Sequence, residues 1–282
     1  MTSLTHDPAA TETRRPKDKL LIIAGSLCGL LVFVALFGFL FAPYPPDQTD
    51  VLASGVGPSP DHLLGTDSLG RDILSRALAG ARISFAGPGL IVLASAVCGT
   101  TLAIFAAWTG GWVDQTLNRL LNVVFAVPGI LVAVLASAVF GAGFWAPVIA
   151  LTVIYIPYYA RVVRSAAVRE RNMPYVEGLR LAGLSSWRIC SRHILRNVVP
   201  IVLAQGTIAF GLALADFAAV SFLGLGVQTP TAEWGVMVAD GRSELLNGDM
   251  QQSLVAGACI VITVVAFNIF GDRLGARYGA DR

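Results

Sequence analysis

Lysine is almost absent from this chain of 282 residues: Lys17 and Lys19 are the only two. A phosphate loop of the G-x-x-x-x-G-K-[ST] kind needs a lysine to reach the β- and γ-phosphates, so none exists here and any ATP hydrolysis belongs to another chain. Charge of either sign is scarce, at 13% of residues, and the net charge of +2 is too small to argue for nucleic acid. Cys28, Cys98, Cys190 and Cys259 are scattered, as are His6, His62 and His193, with neither the spacing of a disulfide framework nor that of a metal site. Apolar residues fill the space instead. They make up 55% of the chain, with a mean hydropathy of +0.69, which is the composition of a membrane protein.

A hydrocarbon core about 30 Å thick takes roughly 20 apolar residues as helix, because backbone groups cannot be left unpaired in lipid. Six segments approach that length: Leu20 to Ala42, Ile83 to Ala107, Leu120 to Phe140, Phe144 to Ala160, Val198 to Phe222 and Met250 to Gly271. The first follows basic residues as a secretory signal does, but its apolar run is longer than a signal core and lacks a clean small-residue cleavage pattern, so it reads as a retained span. The expected fold is all-α and polytopic, with about six transmembrane helices. Sixteen of the 20 Lys and Arg residues fall on one side of such a topology, eight of them between Arg161 and Arg196; Arg71, Arg76, Arg82 and Arg242 fall on the other. The positive-inside rule puts the sixteen, and both termini, in the cytoplasm. The resulting divisions are a cytoplasmic tail 1–19, a first span 20–42, an extracytoplasmic segment 43–82, a five-helix core 83–271 that includes a cytoplasmic loop 161–197, and a cytoplasmic tail 272–282.

Within the extracytoplasmic segment, "LGTDSLGRDILSRALAGARISF" places several charges between long apolar runs. Asp67 can cap a helix starting near Ser68, with Ile73, Leu74, Ala77, Leu78 and Ala81 as an apolar stripe and Arg71, Asp72, Ser75 and Arg76 on a wet face. Asp67, Arg71 and Asp72, together with Trp234 in the later external segment, are therefore candidate extracytoplasmic contacts.

The loop "RNMPYVEGLRLAGLSSWRICSRHILRNVVP" is too polar to cross a membrane and too patterned for a linker. Pro174 suits a first helical turn, Glu177 lies near the positive helix end, and Gly183 can take the left-handed conformation that stops the helix. Ser185 or Ser186 then caps a second helix on which Trp187, Cys190, Ile194 and Val198 recur at helical spacing. This helix-turn-helix reads either as a basic pair resting on anionic lipid or as a docking element for a cytoplasmic subunit.

The order Glu177, Gly183, His193-Ile194-Leu195 and Pro200 resembles the signature loop of ABC importer permeases. The segments from Leu64 to Ser84, "GGWVD" at Gly110 to Asp114, and "SFLGLGVQTPTAEWGVMVADGR" resemble the dipeptide/oligopeptide/nickel class of that family, and the long tail before the first span fits its second permease subunit. The loop opens with Glu177-Gly178-Leu179 where the family usually has Glu-Ala-Ala. Arg196 stands where Pro is common, and Asn122 where Asp is frequent. The resemblance implies a coupling element at Tyr175, Val176, Glu177, Gly178, Leu179, Ala182 and Gly183. It also implies a homologous second permease, two ATPase subunits or a fused double ATPase, an extracytoplasmic substrate-binding protein, and a place in a bacterial inner membrane. No cofactor is expected on this chain; ATP and Mg would sit on the partner ATPase. The expected cargo is a di- or oligopeptide, with nickel chelate, glutathione or haem as alternatives within the class. An ion-coupled secondary transporter is a further alternative, for which Asp216 is the only candidate acid and lacks a partner in a matched repeat.

Asp216 and Asn122 are the candidate pathway residues. An acid inside a span is costly and usually faces a bundle interior or wet cavity, although Asp216 could instead be hydrated near the outer interface. Gly224-Leu225-Gly226 reads as a turn rather than a nucleotide fingerprint, since Thr229 replaces the third Gly. Pro128, Pro147 and Pro157 read as kinks or breaks, Gly87, Gly89 and Gly99 as points of close helix approach, and Trp108, Trp112, Trp145 and Trp234 as interface anchors.

Overall fold

The computed structural model describes residues 19–279. The tail with Arg14, Arg15 and Lys17, and the last three residues with Arg282, lie outside them. Among the described residues all regular elements are helical. Helix α1 (Lys19–Phe37) runs on through a tight turn, Gly38–Phe41, and α2 (Ile73–Thr109) follows after the first external segment. Helices α3 (Gly111–Phe125) and α4 (Gly129–Phe140) form a pair bent by 76°, and α5 is Trp145–Arg171. Next come α6 (Pro174–Leu181), a single turn α7 (Ser186–Arg188), a π-helical stretch Ile189–Ile194 and α8 (Leu195–Phe222); the last three form one rod. Two short helices, α9 (Trp234–Asp240) and α10 (Arg242–Asn247), precede α11 (Gln251–Gly279).

Among the described residues five helices are long and apolar enough to cross a membrane, and the bent pair makes a sixth crossing when taken as one span. The chain is a multi-pass membrane protein. The third crossing, Leu120 to Phe140, is broken at Pro128, one of the expected kinks or breaks. Pro128 has no amide hydrogen to donate, and its ring disfavours helical backbone at Val127, so α3 stops at Phe125 and α4 restarts after Pro128. Helix α2, with 37 residues and hence about 55 Å long, exceeds any hydrocarbon core, so its first turns stand outside it. Helix α11 runs on past residue 271, and Arg273 and Arg277 lie on its last turns, where positive charge suits the helix dipole.

The core forms where α2, α4, α5 and α8 meet around Ile91, Leu151, Tyr159, Ala213 and Phe217. In lipid this association comes from close packing rather than release of water. Gly87 and Gly99 make it possible: a Cβ at Gly99 would lie 2.7 Å from the Ile156 carbonyl oxygen, and one at Gly87 would lie 2.8 Å from the Phe217 ring. At Gly89 a Cβ would meet nothing within 4 Å, so that glycine serves no such approach.

Candidate functional site

The α6 end of the molecule is built as a short, rigid projection. Pro174 occupies the first turn of α6, where its missing amide hydrogen costs nothing, and Glu177 sits in that same turn. Gly183 takes φ +78°, and Leu184 donates its amide hydrogen to the Leu179 carbonyl across the helix end at 3.1 Å. Val176 is fully buried against α2, α5 and the π stretch, in a cluster with Ala103, Ala107, Val163, Ile189 and Ile194, with Leu179 half-buried beside it. Tyr175, Glu177, Gly178, Ala182 and Gly183 are exposed. The seven residues thus come together on one element, anchored by Val176 and Leu179 and presenting the others.

Two residues missed in the sequence hold this element. Glu170, buried at the end of α5, accepts from the Tyr175 hydroxyl at 2.6 Å and from the Asn197 amide of α8 at 2.5 Å. The Arg180 guanidinium lies 4.2 Å from the Trp108 ring centre, which ties α6 to the end of α2, and Arg171 at the end of α5 donates to the Ala107 carbonyl at 2.6 Å. Helix α6 is thus in contact with α2, α5 and α8. Nearby, Asp114 of the "GGWVD" turn takes a two-pronged ion pair from Arg164, joining α3 to α5.

The second helix of the loop departs from expectation. Ser185 occupies the cap position but makes no side-chain cap bond, and Trp187 is 80% exposed instead of heading the buried stripe. The π stretch is the reason. Its i→i+5 turn aligns Ile189 with Ile194, both fully or almost fully buried, and carries Trp187 out of the packed face.

At the opposite end the predicted wet face is buried. Asp72, not Asp67, caps α2, accepting from the Ser75 amide at 2.8 Å and the Ser75 hydroxyl at 2.7 Å. Asp67 closes the turn before it, accepting from the backbone of Leu69 and Arg71 and from the Arg71 side chain at 2.6 Å. Arg71 also reaches Asp240 at 3.3 Å, Arg76 reaches Asp47 at 3.5 Å, and the Glu244 carboxylate accepts from the Ser68 amide at 2.6 Å. The expected wet face is buried, and the expected stripe is buried at Ile73, Ala77 and Ala81 and half-buried at Leu74 and Leu78, because the segment around α9 and α10 folds over them. Trp234 is no interface anchor: it is 2% exposed and donates its indole hydrogen to the Ala77 carbonyl. Beside it Glu233 caps α9, accepting from the Gly235 and Val236 amides and from Ser84. Burial pushes the Glu233 carboxyl above its ordinary value, against the pull of these donors. Asp67, Arg71, Asp72 and Trp234 are thus committed to contacts within the chain.

The two pathway candidates are held at different points of α5: Asp216 accepts from the Tyr155 hydroxyl at 2.9 Å, joining α8 to α5, and Asn122 accepts from Arg161, six residues further along, at 3.2 Å. Gly224 takes φ +74° in the turn leaving α8, as the Gly-Leu-Gly reading required.

These features define a multi-pass membrane protein carrying a braced projection at one end and a closed charge network at the other. Residues 99–279 match the family described as the binding-protein-dependent transport system inner membrane component, and the chain belongs to that family. It is 37% identical over 254 residues to the glutathione transport system permease protein GsiD of Pectobacterium atrosepticum, covering 90% of this chain and 84% of that one. It is 33% identical to the dipeptide transport system permease protein DppC of Alkalihalophilus pseudofirmus, covering 92% and 84%. It is 32% identical to the probable D,D-dipeptide transport system permease protein DdpC of Escherichia coli K12, covering 86% and 81%.

Proposed function

We propose that this chain is one half of the translocation unit of an ATP-driven importer of small peptides, set in a bacterial inner membrane with both termini in the cytoplasm. A homologous second permease completes the unit, two ATPase subunits or a fused double ATPase drive it, and an extracytoplasmic binding protein delivers the cargo. ATP and Mg belong to the ATPase, whose closure pushes on α6. The observation that carries this reading is α6 itself. It is a helix of 8 residues, stopped at Gly183 and braced to three spans, with its outer face uncovered. A basic pair lying on lipid needs no such bracing. Relatives named for dipeptide and glutathione transport support a peptide cargo, glutathione being a tripeptide. The test is co-purification from membranes: an ATP-hydrolysing subunit should accompany the tagged chain, and uptake of a dipeptide into reconstituted vesicles should require both ATP and the binding protein. Uptake driven by an ion gradient without ATP would replace this reading with a secondary transporter.

A further inference from the structure

Helix α5 carries three polar side chains at i, i+3 and i+6, each engaged by a different neighbour. Tyr155 donates to Asp216 on α8 at 2.9 Å, Tyr158 donates to Gln205 on α8 at 2.8 Å, and Arg161 donates to Asn122 on α3 at 3.2 Å while its guanidinium lies 4.3 Å from the Phe125 ring centre. On α8, Asn197, Gln205 and Asp216 fall within an arc of about 100° at 3.6 residues per turn. All three are half-buried, while Ala209 and Ala213 beside Asp216 on α8, and Phe217 further round, are fully buried in the core. A polar stripe thus follows the α5–α8 seam through most of the depth of the membrane, buried at Tyr155 and half-buried at Tyr158, Gln205 and Asp216.

The ends of that stripe carry opposite charges that the described residues do not neutralise. Asp216 has a phenol hydroxyl for company and no cation; Arg161 has an amide and a ring and no carboxylate. Counted from Phe222, Asp216 lies about 9 Å into α8, and counted from Trp145, Arg161 lies about 24 Å into α5, at 1.5 Å per residue. A half-exposed carboxylate at that depth is costly against lipid and is accommodated when it lines a wet passage. We infer that this stripe is the passage wall and that Asp216, held by Tyr155, is a station for the ammonium group of the cargo's free amino terminus. Asp216 is held at the level of Tyr155, and Arg161 lies six residues, about 9 Å, further along α5, more than the roughly 7 Å a dipeptide spans at about 3.5 Å per residue, so they act one after the other and not as a single clamp. The inference rests on the peptide reading above and names the part of the peptide that is recognised.

The experiment uses the full complex in proteoliposomes with dialanine as probe, comparing wild type, Asp216→Asn and Asp216→Glu. Asn keeps an acceptor for the Tyr155 hydroxyl and removes the charge. Uptake per assembled complex should fall about tenfold or more in Asp216→Asn, the scale of one lost hydrogen bond to a charged group, with the yield of assembled complex retained and Asp216→Glu restoring much of the rate. Unchanged uptake in Asp216→Asn overturns the assignment. So does a fall in complex yield with uptake per complex unchanged, which gives the charge to the companion permease. If the wild-type complex takes up no dialanine, the peptide reading itself fails and the ammonium station falls with it; normal wild-type uptake with an indifferent Asp216→Asn removes the station alone.

Discussion

The two ends of this molecule handle charge in opposite ways. At the α9 end Asp67, Arg71, Asp72, Arg76 and Glu233 are all at most 4% exposed and are matched to one another, to Asp240 and to backbone. At the α6 end Glu177, Arg180 and Leu181 stay in the open, Leu181 at 85% exposure, while Glu170 beneath them holds the frame. The contrast separates residues that keep the chain folded from residues available to a partner. Charge alone does not make that separation, since both ends look equally polar in sequence.

The largest expected effect is at the closed end. Asp67→Ala strands two buried guanidinium groups and should cost about 3–5 kcal/mol, seen as loss of monodisperse protein after detergent extraction. A normal yield would mean that the network is not what holds the external segments together. Gly183→Val, by contrast, forces a β-branched residue into positive φ at about 1–2 kcal/mol. Protein yield should survive and ATP-driven transport should drop, because the turn that sets the angle of α6 is disturbed. Tyr175→Phe removes one hydrogen bond to Glu170, worth about 1 kcal/mol, and should lower the transport achieved per ATP hydrolysed more than it lowers the melting temperature.

A subtler effect concerns pH. Glu233 has its folded carboxyl raised above the ordinary 4.5, so its contribution to stability is full below that value and is lost as pH rises through the raised folded value. The melting temperature of wild type relative to Glu233→Gln should therefore improve on acidification; a difference independent of pH would show that the carboxyl titrates normally. Smallest of all, Leu181→Ser at an exposed site should change stability by less than about 0.5 kcal/mol while weakening retention of the ATPase on a tagged complex.

Local signals were legible in the sequence wherever the cause was local. Apolar runs marked the spans, Pro128 marked a break, and Gly183 with Pro174 bounded α6, since each acts through its own backbone. The burial of Arg71 and Arg76 was not legible, because their partner Asp240 lies 169 and 164 residues away and nothing in the local pattern distinguishes a wet face from one covered by a distant segment. Trp187 departs from its expected place for another reason: an α-helical period does not carry across Ile189–Ile194, where a π turn shifts the phase. Glu170 and Asn197 looked like ordinary polar loop residues until α5, α6 and α8 were brought together.

The most direct measurement is a cross-link from α6. Gly178 is exposed, and a Cβ there meets nothing within 4 Å, so Gly178→Cys in a background with the four native cysteines replaced adds a thiol without disturbing the fold. In the assembled complex a short bifunctional thiol reagent should join that cysteine to an ATP-hydrolysing subunit, and binding of the nucleotide should change the yield. A cysteine that stays freely reactive toward a bulky impermeant reagent in the same complex, with no cross-link to any ATP-hydrolysing chain, would contradict the role assigned to α6.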